Sequence, residues 1–235
     1  REKYGNKIAP VVVPIWDSSK KITGIIDVLN KRAYEMQNLK RVEIEVPEDK
    51  QSVIDEFNDA LKESVAETSE EFMDKFFSGE DFTYPEMIQG LRQGVRELSL
   101  FPVLCGSAVN CMGSLMLMDH IVDMLPNPME GNYHKATKQD GESEVFVVSP
   151  GGVPTAFVFK TVADQYGKYS FVKVLSGEIT SDMTLVNART GETEKMGRLY
   201  IMKGKKAEEV KVLSCGEIGA IGKMDKVKTG DTLCD

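Results

Sequence analysis

The sequence predicts a mixed α/β region followed by an all-β antiparallel barrel. Apolar residues recur at helical spacing, among short strands, up to about residue 125. After Val145 the pattern changes to strands of four to seven residues separated by glycine-containing turns. The stretch 130–144 between them is polar and has no apolar periodicity. These observations predict domains at 1–129 and 145–235, joined by a linker at 130–144.

Composition excludes several classes of protein. The chain has 235 residues, 41% of them apolar and 28% charged, which is typical of a globular protein and not of a disordered or fibrous one. No apolar run approaches the ~18–20 residues that a membrane span needs, and no signal peptide is visible in the sequence. We therefore expect a cytoplasmic protein. Because the first residue is Arg1, we also expect a piece of a longer protein.

The cysteines and histidines do not predict a metal site. Cys105, Cys111, Cys215 and Cys234 form no Cys-x-x-Cys pair, and His120 and His134 are the sole histidines. We expect free thiols in a reducing compartment. His120 follows Asp119 on a predicted helix, where a half-exposed surface position is expected, and His134 lies in the predicted linker. Neither histidine has an apparent Ser or Cys nucleophile partner.

Charge is concentrated in one segment. Residues 41–90 hold 15 acidic and 4 basic residues, a net charge of −11, whereas residues 145–235 have a net charge of +2. The first segment is therefore the one strongly acidic surface, and the C-terminal region can approach a polyanion without strong repulsion.

Local signals place the helices and strands of the N-terminal region. Short strands are predicted around Pro10–Ile15, Ile22–Asp27, Val42–Val46 and Phe101–Cys105. One helix is predicted from Val53, Ile54, Phe57, Leu61 and Val65, a second over Phe72–Phe77, and a third, opened by a capping box at Thr83–Glu86, is buried through Met87, Ile88, Leu91, Val95 and Leu98. A fourth helix uses Leu115, Met118, Ile121, Val122 and Leu125 and stops at Pro126.

The C-terminal pattern predicts a barrel. The predicted strands are Ala156–Val162, Ser170–Leu175, Thr184–Asn187, Arg198–Met202 and Gly219–Ile221. Closure of such a sheet removes exposed strand edges and so protects against aggregation.

No catalytic constellation is present. The three Gly-Lys pairs are followed by Tyr169, Lys206 and Met224, so none completes the Gly-x-x-x-x-Gly-Lys-Ser/Thr phosphate loop. Asp164 to Gly167 matches a loose Asp-x-x-Gly, but it lies between two strands and favours a hairpin turn.

The order of short motifs resembles bacterial elongation factor G. Pro102-Val-Leu-Cys-Gly-Ser-Ala108 and Asp119-His-Ile-Val-Asp123-Met-Leu-Pro126 are similar to the end of that family's GTPase domain. Gly24-Ile-Ile-Asp27 and Glu71-Phe-Met-Asp-Lys75 resemble its insertion within the GTPase domain, at about residues 10–100. Ser176-Gly177 and Thr229-Gly-Asp-Thr-Leu233 resemble its second domain, a β-barrel. The resemblance runs collinearly over nearly the whole chain.

This resemblance implies an α/β fold, an incomplete P-loop GTPase domain with an α+β insertion, followed by the barrel. The family is a ribosome-dependent GTPase that drives translocation, and its Ser-Ala motif, which binds the guanine base through backbone amides, matches Ser107 and Ala108. The phosphate loop, the switch regions and the Asn-Lys-x-Asp motif would lie before Arg1. We therefore expect GTP or GDP with Mg²⁺ in the full-length parent, no nucleotide on this chain, and no catalysis by it.

Alternative parents remain open. A ribosomal protection protein and the class-three release factor share the implied architecture. An interpretation from a different class is a non-enzymatic module whose barrel docks RNA or protein. Without the resemblance, Gly106-Ser107 would be interpreted simply as a strand-to-helix turn.

The resemblance also implies ribosomal partners, with no membrane and no DNA. Small-subunit rRNA would be contacted by the barrel, for which Lys168, Lys203, Lys205 and Lys206 supply cations, although a solvated hairpin tip explains them equally well. The ribosomal stalk protein would dock on the acidic insertion, for which Glu56, Asp59 and Glu63 form one outward helix face. A solvated face is the alternative interpretation.

Overall fold

The computed structural model describes residues 3–130, 134–137, 141, 143–146, 148–164 and 167–235. For residues 134–137, 143–146 and 164 the description is of the backbone. The chain divides into two compact units, Arg1–Pro126 and Asn127–Asp235. The first is mixed α/β and the second is antiparallel β, so the predicted fold class is confirmed.

The N-terminal unit contains two small sheets. Its strands are β1 (Ile8–Pro10), β2 (Val12–Trp16), β3 (Ile22–Asp27), β4 (Arg32–Gln37), β5 (Lys40–Ile44) and β6 (Phe101–Val103). Strands β2 to β5 form an antiparallel sheet in chain order, and β1 pairs in parallel with β6. Strand β4 was not predicted, because Arg32–Gln37 has no clean alternation of apolar and polar residues.

Four helices accompany these sheets. They are α1 (Glu48–Ala66), α2 (Glu70–Ser78), α3 (Tyr84–Arg96) and α4 (Ser114–Met124). Helix α2 begins at Ser69, whose hydroxyl accepts from the Phe72 N–H, and ends at Gly79 with φ of 78°. Both ends follow from residue type, since serine favours helix N-caps and glycine adopts the left-handed conformation at low cost.

The capping box predicted for α3 is present. The Glu86 carboxylate accepts from the Thr83 N–H at 2.7 Å and from the Thr83 hydroxyl at 2.7 Å. Lys75 of α2 donates to the same carboxylate at 2.7 Å. The Lys75 ammonium and the Thr83 donors lower the pKa of Glu86 to about 2. One side chain therefore both starts α3 and fastens it to α2.

Helices α1 and α3 are in close contact. Ile54, Leu61 and Val65 of α1 are fully buried, as the helical spacing predicted. A Cβ atom at Gly90 of α3 would lie 2.5 Å from Val65 Cγ1, so only glycine allows this approach. Leu98, predicted to be buried on the same helix, follows its end and is exposed.

The predicted packing face of α4 was wrong. The helix exists, but Leu115, Met118, Ile121 and Val122 are exposed, Val122 at 76%. The buried residues of α4 are Met116, His120 and Met124. His120, expected to be half-exposed, is therefore a buried residue, because its side of the helix faces the unit. An apolar stripe identifies a packing face only when the covering structure is present.

The regular elements in the described part of the C-terminal unit are all strands. They are β7 (His134–Thr137), β8 (Ser143–Phe146), β9 (Thr155–Asp164), β10 (Gly167–Ser176), β11 (Glu178–Thr180), β12 (Thr184–Asn187), β13 (Thr193–Lys195), β14 (Leu199–Lys203), β15 (Lys206–Val210), β16 (Val212–Ser214), β17 (Ile218–Gly222) and β18 (Thr232–Cys234). The five predicted strands are all present, as parts of β9, β10, β12, β14 and β17. Of the predicted turn between β9 and β10, residues 165 and 166 lie outside the described residues.

An antiparallel sheet surrounds the core of this unit. Eight strands follow the order β13-β12-β18-β9-β10-β17-β14-β15, and β11 pairs with β16. Strands from both halves of the sheet supply one buried cluster, for example Leu185 of β12 and Leu199 of β14. The sheet is therefore curved around a single core, as expected of a barrel.

A buried carboxylate links the end of β12 to the loop that precedes its neighbour β18. Asp231, which is 2% exposed, accepts hydrogen bonds from the Arg189 guanidinium, the Asn187 amide and the Lys228 N–H. The Arg189 guanidinium holds the pKa of Asp231 well below its usual range. The Thr229–Leu233 motif thus has a structural role inside the barrel.

The predicted linker contains regular structure. Strands β7 and β8 pair antiparallel within or next to 130–144, with His134 opposite Phe146. Residues 131–133, 138–140 and 142 of that stretch lie outside the described residues. The domain boundaries at 129/130 and 144/145 stay predictions.

Candidate functional site

The loop after β6 is held in a fixed shape by two glycines. The Ser107 N–H donates to the Met112 carbonyl at 2.9 Å, and the Met112 N–H donates back at 3.0 Å. A Cβ at Gly106 would lie 2.7 Å from the Met112 carbonyl oxygen, and one at Gly113 2.8 Å from the Cys105 carbonyl oxygen. The loop therefore closes only with glycine at both positions.

The two residues assigned to guanine binding differ in what they can donate. The Ser107 N–H is used within the loop, whereas the Ala108 N–H has no hydrogen-bond partner among the described residues. Ala108 is exposed, and both residues line an open pocket of about 250 Å³. Of these two residues, Ala108 is therefore the one whose N–H is free to donate to a ligand carbonyl.

The Cys105 thiol beside this loop is not activated. Cys105 and Cys111 are free, as are Cys215 and Cys234. Burial raises the pKa of Cys105 to about 11, so its thiol stays protonated near neutral pH. Nucleophilic chemistry by Cys105 is therefore not supported.

Three of the lysines assigned to RNA contact lie at one hairpin tip. Lys203 and Lys206 are opposite each other at the ends of β14 and β15, joined by Gly204 and Lys205. All are exposed. Lys203 forms an ion pair with Glu208 at 2.8 Å, whereas Lys205 and Lys206 have no ion-pair partner within the described part of the chain. These two are the available cations of the hairpin.

Lys168 is engaged elsewhere. Its ammonium donates to the Val227 carbonyl at 2.9 Å and to the Asp225 carbonyl at 3.0 Å. It therefore fastens the 225–227 loop to β10. This structural role could not be inferred from the positions of the lysines in the sequence.

The acidic helix face forms as predicted. Glu56, Asp59 and Glu63 are all exposed on α1. Asp59 lies 3.6 Å from Lys62, but that ammonium is closer to Asp81, at 2.7 Å. Glu56 and Glu63 have no ion-pair partner in the described ranges, so the face keeps most of its negative charge.

The described residues show neither a metal site nor a membrane-spanning helix. No group of three or more His, Cys, Asp or Glu side chains among the described residues is placed to hold a metal ion. Over the same residues no helix has the length and apolarity to cross a membrane.

Sequence reasoning missed a polar pocket in the N-terminal unit. Asp27, Asp119, His120 and Asp123 line it together with Arg41. The available signal was the spacing Asp119-His-x-x-Asp123, which places both carboxylates on one helix face. That signal does not by itself indicate that β3 brings Asp27 to the same place.

Two comparisons with known proteins bear on identity. Residues 154–235 match the family model described as elongation factor G domain 2. A crystal structure of a protein from Thermus thermophilus is similar over 100% of this chain, with 26% identity and a TM-score of 0.83. The chain spans 33% of the length of that protein. Residues 154–235 are therefore similar to the second domain of elongation factor G, and the whole chain has a fold similar to part of the Thermus protein.

Proposed function

We propose that the chain is a binding and structural part of a bacterial, ribosome-dependent elongation factor of the G type, and that it does not itself hydrolyse GTP. The observation that carries this proposal is the match of residues 154–235 to elongation factor G domain 2. Ribosomal binding, the guanine contact and the location in the cytoplasm belong to the same proposal.

An incomplete α/β layer in the N-terminal unit supports it. The parallel pair of β1 and β6 contains two strands, although parallel sheets are normally larger and covered on both faces. Beside it, α4 exposes Leu115, Met118 and Val122. Contiguous exposed apolar surface of this kind marks a region that other structure covers. We assign that cover to the remainder of a GTPase domain in the parent.

The guanine contact is proposed for Ala108 with support from Ser107. The Ala108 N–H is free to donate, while Ser107 fixes the loop through its two bonds to Met112. One hydrogen bond contributes only about 1 kcal/mol net. Tight nucleotide binding in GTPases depends on phosphate-binding amides, a lysine and Mg²⁺. Calorimetry should thus detect no micromolar GTP binding to this chain, and a micromolar dissociation constant would contradict the proposal.

The rRNA contact is proposed for the hairpin tip, through Lys205 and Lys206. The test is binding of the chain to bacterial small ribosomal subunits across a salt series. Each lysine–phosphate contact contributes about −0.7 to −0.9 to the log–log slope of affinity against salt. The Lys205→Ala/Lys206→Ala variant should bind more weakly, and its log–log slope should be less negative by about 1.5. Lys203 and Lys168 should contribute less, because both ammonium groups are already bonded.

The matched control removes the same charge elsewhere. Lys195 and Lys226 are exposed lysines of the same unit, paired with Asp182 and Glu192. Their double alanine variant should leave the slope nearly unchanged. If both variants lose affinity for the ribosomal subunit equally, the hairpin lysines only increase solubility and do not form a specific RNA contact. Equal affinity for unrelated RNA would favour the non-enzymatic RNA-binding module over the elongation factor.

The stalk contact is proposed for Glu56, Asp59 and Glu63. Complementary charge chiefly raises association rates, and the effect decreases as salt screens it. Reversal of all three to lysine should slow stopped-flow association with the stalk protein's C-terminal domain at low salt. Reversal of Glu71, Asp74 and Glu80, which changes net charge equally from another surface, is the control. If both variants slow association alike, total charge and not this face is responsible.

A further inference from the structure

The aromatic side chains that the structure describes in residues 148–235 all lie outside the core of the antiparallel unit. They are Phe157, Phe159, Tyr169, Phe171 and Tyr200. Among the described residues, the buried cluster of this unit consists of aliphatic and methionine side chains only. Aromatic side chains bury large apolar areas when they are in a core, and phenylalanine is among the residues most often found there. The position of these rings therefore requires an explanation other than core packing.

Strand register places the rings on the outer face of neighbouring strands. Phe157 of β9 is opposite Lys173 of β10, and Lys173 is in turn opposite Ile218 of β17. The adjacent residues Val158 and Val172 are opposite each other and belong to the buried cluster. Because successive side chains of a strand point to opposite sides, Phe157 and its neighbours across the sheet point outward.

A β-bulge brings a second phenylalanine to the same face. The ladder between β9 and β10 passes from Lys160 directly to Val158, so Phe159 has no partner on β10. Phe159 and Lys160 are both exposed. The ring centroids of Phe159 and Phe171 are 6.3 Å apart, and the Lys160 ammonium lies 5.8 Å from the centroid of the Phe171 ring. Bulges often re-aim a side chain in this way.

Two tyrosines extend this face towards β14. The rings of Tyr169 and Tyr200 are 5.6 Å apart and meet edge to face. On β17, which lies between β10 and β14, their partners are Gly222 and Ala220. Neither partner has a side chain larger than a methyl group, so the two rings can meet over this strand. We call the five rings together with Ile218 the aromatic face.

The charges beside the aromatic face are positive. Residues 157–162 of β9, 169–175 of β10 and 218–222 of β17 include no acidic residue. No ion pair within the described chain involves Lys160 or Lys173, whereas the carboxylate opposite Tyr200, that of Glu209, is paired with Arg198 at 3.5 Å. A surface of rings and cations without carboxylates attracts a polyanion.

This combination suits a nucleic acid strand with unpaired bases. Antiparallel sheets bind single strands through aromatic rings on which bases stack, while a positively charged surface follows the phosphates. Phe157 and Phe159 are two residues apart on one strand, which corresponds to about 7 Å and gives each ring room for its own base. A duplex keeps the faces of its bases inside the helix, so it cannot bind in this way.

We propose that the aromatic face binds a single-stranded nucleic acid. Bases stack on the rings of Phe157 and Phe159. Phosphates lie against Lys160 and Lys173. Phe171 supports both contacts, because its ring packs against Phe159 and lies under the Lys160 ammonium. This site requires unpaired bases, whereas the hairpin lysines offer charge alone, so it stands or fails independently of the ribosomal contacts proposed above.

The first experiment compares single strands with a duplex. Oligouridylate and oligothymidylate of about 12 nucleotides, within the site sizes known for small barrels, are titrated into the 235-residue chain and followed by fluorescence anisotropy. An RNA duplex of the same length is the control. Saturable binding of oligouridylate that is tighter than binding of the duplex supports the proposal for RNA, and the same result with oligothymidylate supports it for DNA. Equal affinity for the duplex, or binding of neither strand, overturns it.

The second experiment removes the rings. Phe157→Leu/Phe159→Leu keeps apolar side chains and should weaken binding of the strand at least tenfold, the loss expected for one stacked base. The control Phe76→Leu/Phe77→Leu changes an exposed ring pair of α2, with centroids 6.0 Å apart, and should alter affinity less than about twofold. Equal weakening by the two variants overturns the proposal. Thermal unfolding confirms that each variant is folded.

Salt dependence separates the aromatic face from the hairpin lysines. Lys160→Ala/Lys173→Ala should make the log–log slope of affinity against salt less negative by about 1.4, because each phosphate contact of a single strand contributes about 0.7. Lys205→Ala/Lys206→Ala should change this slope less. An equal or larger change from the hairpin variant would assign the strand to the hairpin and overturn the proposal.

Photo-crosslinking locates the bases on the unaltered chain. A strand that contains 5-iodouracil crosslinks to the aromatic rings on which its bases stack, and mass spectrometry identifies the crosslinked residues. Crosslinks at Phe157, Phe159 or Phe171 support the proposal, and crosslinks confined to other residues overturn it. Polyglutamate at equal charge is the competitor. If it displaces the strand as well as unlabelled oligouridylate does, the face binds acidic protein segments through charge and the proposal is wrong.

Discussion

The two units differ in how completely they bury their own apolar surface. Among the described residues, the antiparallel unit has one core cluster of thirteen buried residues. The α/β unit divides its core into three clusters within the described residues, and it leaves the apolar side of α4 exposed. Hydrophobic burial is the main favourable contribution to folding. The described part of the antiparallel unit thus has a single large core, whereas the α/β unit has an apolar helix side that more structure can cover.

The largest expected effect is on the antiparallel unit. Asp231→Ala removes a buried carboxylate that three groups use, so the free energy of unfolding should decrease by about 3 kcal/mol. Urea denaturation followed by hydrogen exchange measures it, with the decrease confined to peptides of residues 148–235. Asp225→Ala, an exposed acid of the same unit, should cost less than about 0.5 kcal/mol. Similar losses for both would show that the buried network does not stabilise the sheet.

A smaller effect is expected in the packed part of the α/β unit. Gly90→Ala places a Cβ 2.5 Å from Val65 Cγ1, so overpacking should outweigh the gain in helix propensity by about 1 kcal/mol. The fluorescence of Trp16, the sole tryptophan, reports unfolding of this unit. The additional substitution Val65→Ala removes the atom that the new Cβ would meet. In a chain that carries it, Gly90→Ala should lower the free energy of unfolding by less. If Gly90→Ala lowers the free energy of unfolding equally with and without Val65→Ala, the strain does not come from the contact with Val65.

The next effect depends on pH and concerns the α2–α3 connection. The pKa of Glu86 is depressed from 4.5 to about 2, so its charge stabilises the folded unit above pH 4.5. This contribution is lost as the pH falls from about 4.5 towards 2. Glu86→Gln keeps a capping side chain but removes the charge. Its unfolding midpoint, followed by Trp16 fluorescence, should change less over that pH range than that of the parent chain. If the unfolding midpoints of the two chains change equally with pH, the ionised Glu86 carboxylate does not stabilise the folded unit.

The smallest effect is expected on the uncovered side of α4. Val122→Lys replaces a side chain that is 76% exposed, so the stability of this chain should change by less than about 0.5 kcal/mol. Binding of the dye ANS should decrease, because exposed apolar area is lost. Met116→Lys, on the buried side of the same helix, is the contrast and should destabilise the unit strongly. Strong destabilisation by Val122→Lys would show that this side is already packed.

The elements with local causes were predictable from the sequence alone. The capping box at Thr83 and Glu86, the exposed acids of α1 and the five predicted strands of the C-terminal unit all follow from side-chain chemistry within a few residues. The lysine hairpin was predictable for the same reason, since Gly204 and Lys205 form its turn. The order of motifs also indicated the family that residues 154–235 match.

The partner of each of these groups, by contrast, depends on how distant parts of the chain pack together. Lys168 was indistinguishable from Lys205 in sequence, yet its ammonium is bonded to two carbonyls of a distant loop. The apolar stripe of α4 suggested the wrong buried side, because periodicity shows that a helix is amphipathic but not what covers it. Asp27 and His120 are 93 positions apart in the sequence, and their meeting in one pocket depends on how β3 packs beside α4. Contacts between residues far apart in the chain have no local signature, and for that reason the pocket was invisible before the fold was known.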